Sequence, residues 1–127
     1  MGYRSEVSIQ LESKAFDMVM KSIKKYNSEQ ADGYEFYPDT ILKKDDEYII
    51  QWGYVKWYSD YGDVKSVESV LTELDKYNES AEIDGFRYDF LRVGEESGDI
   101  ETRSNDVCYG TCFPETHIYT DTRFTEI

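Results

Sequence analysis

Cys108, Cys112 and the chain's single histidine, His117, are the first residues to test for chemistry, because three metal-capable donors fall within one short stretch. Structural zinc takes four protein ligands, usually as two tightly spaced pairs, and this stretch offers a fourth only if the carboxylate of Glu115 is conscripted. The alternative is a cysteine nucleophile with a histidine base. Such partners normally meet through the fold rather than along the chain. The stretch therefore reads as two reduced thiols and a surface histidine, with no metal and no cofactor expected.

Carboxylates are the other reactive supply. Glu95, Glu96, Asp99 and Glu101 crowd one loop and the strand after it. Paired acids serve glycoside hydrolysis or metal-assisted hydrolysis when they converge in a cleft. On a charged loop they more often form a solvated face. The sequence has no calcium loop, no phosphate-cradling glycine loop and no nucleophile elbow. No catalytic residue is assigned, and a metal-dependent hydrolase built on these acids stands as the least favoured alternative.

The stretch IIQWGYVKWYSDYGD, residues 49–63, is dense in aromatic side chains. A two-layer fold needs bulk in its core, so part of this group must be buried. The functional expectation is an exposed strip of Trp52, Tyr54, Trp57, Tyr58 and Tyr61, the composition of an interface hot spot. Base stacking would need a basic groove beside it, and Lys56 is nearly alone there.

Charge narrows the partners. The chain of 127 residues carries 14 basic and 27 acidic side chains, a net charge of −13. Residues 1–44 balance at seven of each, so residues 45–127, with seven basic against twenty acidic, hold the whole excess. Such a surface repels phosphate backbones and anionic headgroups and attracts basic proteins. Direct nucleic-acid binding and membrane binding are not expected. With no signal peptide, no apolar run of membrane-spanning length and two cysteines read as thiols, the expected location is the cytoplasm, that of a bacterial host.

Hydropathy gives the scaffold. Val7, Ile9 and Leu11 alternate with polar residues, as in a half-buried strand. Ser13 is placed to cap a helix over 14–26, with Phe16, Val19, Met20 and Ile23 as its apolar stripe. Residues 27–39 read as a polar loop. "TILKK" and "EYIIQW" flank Asp45-Asp46 as a hairpin, and Gly53 marks a bulge or a second turn. Asp60 or Asp63 caps a helix over 64–77, striped by Val67, Val70, Leu71 and Leu74. "GFRYDFLRV" alternates as a strand, and "DIETR" and "THIYTDTRF" are candidate edge strands. Strand, helix, strand, strand, helix, strand is the order of an α+β, ferredoxin-like (split βαβ) antiparallel sheet with two helices on one face and C-terminal edge strands. One domain spans 1–127, its core about 5–95 and its strand extension 96–127.

Three fragments, "MGYRSEV", "VKWY" and "FLRVGEESGDIE", resemble in order a group of small acidic bacteriophage and mobile-element proteins of uncharacterised function. The resemblance covers residues 1–101. It implies a phage accessory gene and transfers no catalytic residue. Tyr3, Arg4, Lys56, Trp57, Tyr58, Arg92, Gly94, Glu95, Asp99 and Glu101 are its motif positions. Their structural role would include pairing of Arg4 or Arg92 with Glu95 or Glu101 at the sheet edge.

The leading expectation is a non-catalytic accessory protein that modulates or inhibits a host protein with a basic surface, such as a nucleic-acid-binding or defence factor. Its partner-binding residues would be Trp52, Tyr54, Trp57, Tyr58, Tyr61, Glu95, Glu96, Asp99 and Glu101. The alternative is a small-molecule or nucleotide-binding domain using the cleft between the sheet and loop 27–39. There Arg4, Arg87 and Arg92 would meet a phosphate and Tyr34 or Tyr37 would stack. Exposed edges or the aromatic strip would also serve a homodimer.

Overall fold

The structure, a computed structural model, describes residues 2–31, 33, 35–78, 80–106, 109 and 125–126. Strand β1 (Ser5–Glu12) holds the centre of an antiparallel sheet. Helix α1 (Ser13–Ser28) follows without a loop. Then come β2 (Thr40–Lys44), β3 (Glu47–Val55), α2 (Gly62–Leu74), a single 3-10 turn (Asp75–Tyr77), β4 (Tyr88–Gly94), β5 (Ile100–Ser104) and β6 (Thr125–Glu126). The strand order β5-β4-β1-β3-β2-β6 has the ferredoxin-like 4-1-3-2 arrangement at its centre, flanked by two edge strands.

The alternation in β1 sets the register. Ile9 lies between Ile50 of β3 and Phe90 of β4, and Leu11 between Tyr48 and Tyr88. These residues share one face, and beneath α1 and α2 all but the half-buried Tyr48 meet Ala15, Val19, Ile23, Val64, Val67, Leu71 and Leu74 in one core. The other face is closed at its centre too. Ser8, Gln10, Leu42, Ile49 and Leu91 are buried there, and Tyr109 sits beside Glu47, Glu12 and Gln10, burial pushing its ionisation up.

The β2–β3 hairpin turns at Asp45-Asp46, with Asp45 at a positive φ of 51°. Gly53 lies at a bulge and not at a second turn. β1 advances two residues from Ser5 to Val7 while its partner runs three, from Val55 back to Trp52.

Capping differs from expectation. α1 begins at Ser13 itself with Glu12 in the capping position and no side-chain cap. The Ala15 amide donates to the Gly85 carbonyl instead. Glu12 accepts from the Gly85 and Arg87 amides, so its side chain serves the neighbouring loop. For α2 the capping position is Tyr61, and Asp63 accepts from the Val64 amide within the first turn. The α-helix ends at Leu74, where Asn105 takes over. Its amide donates to the Leu74 and Phe86 carbonyls and its oxygen accepts from the Tyr88 amide. "THIYTDTRF", residues 116–124, lies outside the described residues.

Candidate functional site

The expected aromatic strip divides. Trp52 and Trp57 are 3% and 6% exposed and belong to the core, which corrects their assignment to an exposed surface. Phe36 buries them. It stacks on Trp52 with ring centroids 5.2 Å apart, and Trp52 packs at the same separation against Trp57. Trp57 reaches on to Phe90 and donates its indole N–H to Glu68. Phe36 comes from the loop read as merely polar. Asn27 at the end of α1 brackets it, donating to its carbonyl and accepting from its amide. Asp39 pins the far end of that loop by accepting from Gly53.

What remains exposed is tyrosine. Tyr54 is 71% exposed, Tyr37 46% and Tyr61 40%. All three line one cavity of about 350 Å³ between residues 35–39, the end of β3 and the start of α2. Trp52 and Phe36 also line it, as do Arg4, Lys56, Glu35, Asp39 and Asp63. The Arg4 guanidinium stands 4.9 Å from the centre of the Tyr54 ring, within cation–π range. Arg4 and Tyr54 also line a second cavity of about 330 Å³ with Ser5, Glu6, Gly53, Val93, Gly94 and Glu95, so this pair is a shared wall. Tyr58 turns away from the first cavity. Its hydroxyl accepts from the Tyr3 amide, and its ring meets Tyr61 edge-on.

The three motif fragments, far apart in the chain, converge here. Tyr3 donates its hydroxyl to Asp99 at 2.6 Å and accepts from the Glu96 amide at 2.9 Å. The Arg4 amide donates to Glu95. Arg92 spans the β4–β5 hairpin, holding Asp99 and Glu101 each at 2.9 Å and donating to Ser5. The Arg92 guanidinium, then the Tyr3 hydroxyl, hold the Asp99 carboxyl below its ordinary range, and Asp99 in return raises the Tyr3 phenol. Gly94 sits at the middle of this clasp. A Cβ there would collide with the Asp99 carboxylate and the Tyr3 hydroxyl. Of the acids expected to face a partner, Asp99 and Glu101 are thus joined to Arg92 and Glu95 to the N-terminal backbone, although Glu95, Glu96 and Glu101 are all exposed.

The alternative ligand set divides as well. Arg4 and Tyr37 do meet in the cavity. Arg87 stands at the opposite end of the sheet with Glu12, Asp84 and Asp106 around it, and Arg92 belongs to the clasp, so neither supplies the cation expected there. Tyr34, Cys108, Cys112 and His117 lie outside the described residues. Sequence reasoning missed Lys56 and Tyr61 as neighbours of Arg4, and Phe36 as the residue that separates buried from exposed rings. The lone Phe36 between Tyr34 and Tyr37 was the available signal.

Among the described residues no group of three or more His, Cys, Asp or Glu is placed to hold a metal ion, and no helix is long and apolar enough to cross a membrane. No protein-family model, curated protein or solved structure matches the chain. Function must be argued from this chain's own residues.

Proposed function

We propose that the protein is a non-catalytic binding module and that its recognition element is the tyrosine-lined cavity beside Arg4. One observation carries the reading. Of the four large apolar or aromatic side chains exposed among the described residues, Tyr37, Tyr54, Tyr61 and Ile100, the three tyrosines line the same concavity. Its volume lies at the lower end of the range of small-molecule sites. Aromatic walls on a rigid floor of Trp52 and Phe36 suit a flat group, with little conformational entropy lost on binding. The resemblance to phage proteins puts such a ligand, on this reading, in the cytoplasm of an infected bacterium.

Trp52 lies in the wall, so ligand entry is expected to change tryptophan emission. Titration of purified protein with a small-molecule panel should show saturable quenching that Tyr54→Ala and Tyr37→Ala each weaken. Quenching indifferent to both substitutions would place the ligand elsewhere and remove the reading.

A second reading, docking on a basic host protein, draws support from the net charge of −13 and from Tyr54 standing proud of the surface. It predicts capture of a partner that is lost as salt rises. Capture insensitive to salt or to Tyr54→Ala counts against it.

A further inference from the structure

The cavity's polar groups differ in whether they are already engaged. In a chain with 27 acidic and 14 basic side chains, an arginine is expected to find a carboxylate. Arg87, Arg92 and Arg103 all do. Arg4 is the exception among the described arginines: its guanidinium lies over the Tyr54 ring, with no ion pair to any described residue. The placement is built, because the Arg4 amide is held by Glu95 and the preceding Tyr3 by Tyr58, Asp99 and Glu96. Lys56 lines the same cavity, also without an ion pair among the described residues. Three carboxylates share the wall with these cations: Asp39 and Asp63 each accept from a backbone amide, and Glu35 is exposed. A further observation is independent of charge. Trp52 is 3% exposed, and its indole N–H is a buried donor without a hydrogen-bond partner. Buried donors are nearly always paired, and an orphan beside a cavity calls for an acceptor.

From these we infer that the cavity takes a flat aromatic ring bearing an oxyanion, carboxylate or phosphate. The anion meets Arg4 and Lys56, and the ring lies against the tyrosines. The inference rests on the binding-module reading and names its ligand class. Arg4 presents a fork of N–H donors matched to a planar or tetrahedral oxyanion. Tyr54 now stacks with the guanidinium and offers its ring edge and hydroxyl to the ligand. A cationic ligand would turn instead to Glu35, Asp39 and Asp63 on the same wall, and the charge-reversed probe distinguishes the two.

The test titrates the full chain, by tryptophan emission and by thermal melting, with AMP, adenosine, benzoate and arginine amide. AMP and benzoate separate the phosphate source from the carboxylate source, adenosine removes the anion and arginine amide reverses the charge. AMP or benzoate should bind, adenosine should be weaker than AMP by about tenfold or more, and Arg4→Gln should remove that advantage. Arg4→Gln keeps the backbone bond to Glu95, so the variant should melt as the parent does. Arg4→Lys retains charge without the fork and should recover only part of the affinity. Adenosine binding as tightly as AMP, with Tyr54→Ala still harmful, would overturn the anion inference and leave the binding-module reading standing. Tighter binding of arginine amide, or an Arg4→Gln variant unchanged toward AMP and benzoate, would overturn it too. Silence from all four probes would overturn both.

Discussion

Arg87 and Arg4, at opposite ends of the sheet, are treated in opposite ways. Where β1 finishes, Arg87 is surrounded by three carboxylates, Glu12 at 3.4 Å, Asp84 at 2.9 Å and Asp106 at 2.7 Å, which hold it firmly protonated. Close by, Tyr88 is fully buried and donates to Asp75, which also takes Arg103. Burial, then that hydrogen bond, push the Tyr88 phenol far above its ordinary value. Where β1 begins, Arg4 has an aromatic ring for company and a cavity on either side. The first end has used its polar groups to close the fold, whereas the second, beside the saturated clasp around Arg92, has left a cation, a buried indole N–H and three tyrosines unspent. Saturated polar groups argue for architecture, and unsaturated ones held in place by other contacts argue for recognition.

The comparison breaks most sharply at the tryptophans. Trp57 and Tyr54 are three residues apart, one 6% and the other 71% exposed. Trp57→Ala removes packing against Phe36, Trp52 and Phe90 and should cost about 3–5 kcal/mol of stability. Tyr54→Ala should leave stability within about 0.5 kcal/mol, as exposed sites do, while weakening ligand-induced quenching. Urea unfolding of both variants decides it. A stable Trp57→Ala protein would mean that the indole is not part of the core.

At the saturated end, Asn105 is the residue to remove. It is 2% exposed and satisfies the Leu74 and Phe86 carbonyls and the Tyr88 amide. Asn105→Ala leaves these groups unpaired in a site with little access for water. The expected loss is about 2–3 kcal/mol by thermal or urea unfolding, with the cavity end and its binding unaffected. A loss of affinity as large as the loss of stability would mean the two ends are coupled and the contrast is false.

Much of this was legible. The alternation of Val7, Ile9 and Leu11 marked the face of β1 that meets the helices, because side-chain direction in a strand follows from a period of two. The strand is not half-buried as expected, however, since Ser8 and Gln10 on its other face are buried too. The depth of Trp52 was not legible. It depends on Phe36, which lies in a loop without period and is held by Asn27 through hydrogen bonds that the sequence does not advertise. Among the arginines, the partner of Arg92 could be read locally, since a hairpin through residues 95–99 sets Arg92 opposite Glu101. Arg87 and Glu12 meet only through the fold, so Arg87 and Arg4 looked alike in the sequence and proved opposite in space. Gly94 gave no local sign of its role, because the groups that exclude a side chain there come from the N-terminus and from beyond the turn.

The smallest expected effect concerns the clasp that holds Arg4 in place. Asp99 carries a lowered pKa, through Arg92 first and Tyr3 second. A carboxylate depressed in the folded state contributes stability above its unfolded value, near 3.9, and that contribution is lost as pH falls through the folded value. The clasp should therefore be fully formed at neutral pH and should loosen only in acid, below about pH 4. Asp99→Asn removes the titrating group. The parent should lose stability over that acid window more steeply than the variant, and the gap between their unfolding midpoints should be widest near neutrality and close in acid. Both residues at the contact are partly open to water, so solvent screening keeps the effect modest. Anion affinity is the sharper readout. If Tyr3 positions Arg4 through Asp99, Asp99→Asn should weaken AMP binding by about twofold to fivefold at neutral pH, with tryptophan emission of the free protein unchanged. An Asp99→Asn protein that binds as the parent does would show that Arg4 is placed by its own backbone bond and its ring contact alone, and the clasp would then belong, like the Arg87 cluster at the far end, to architecture.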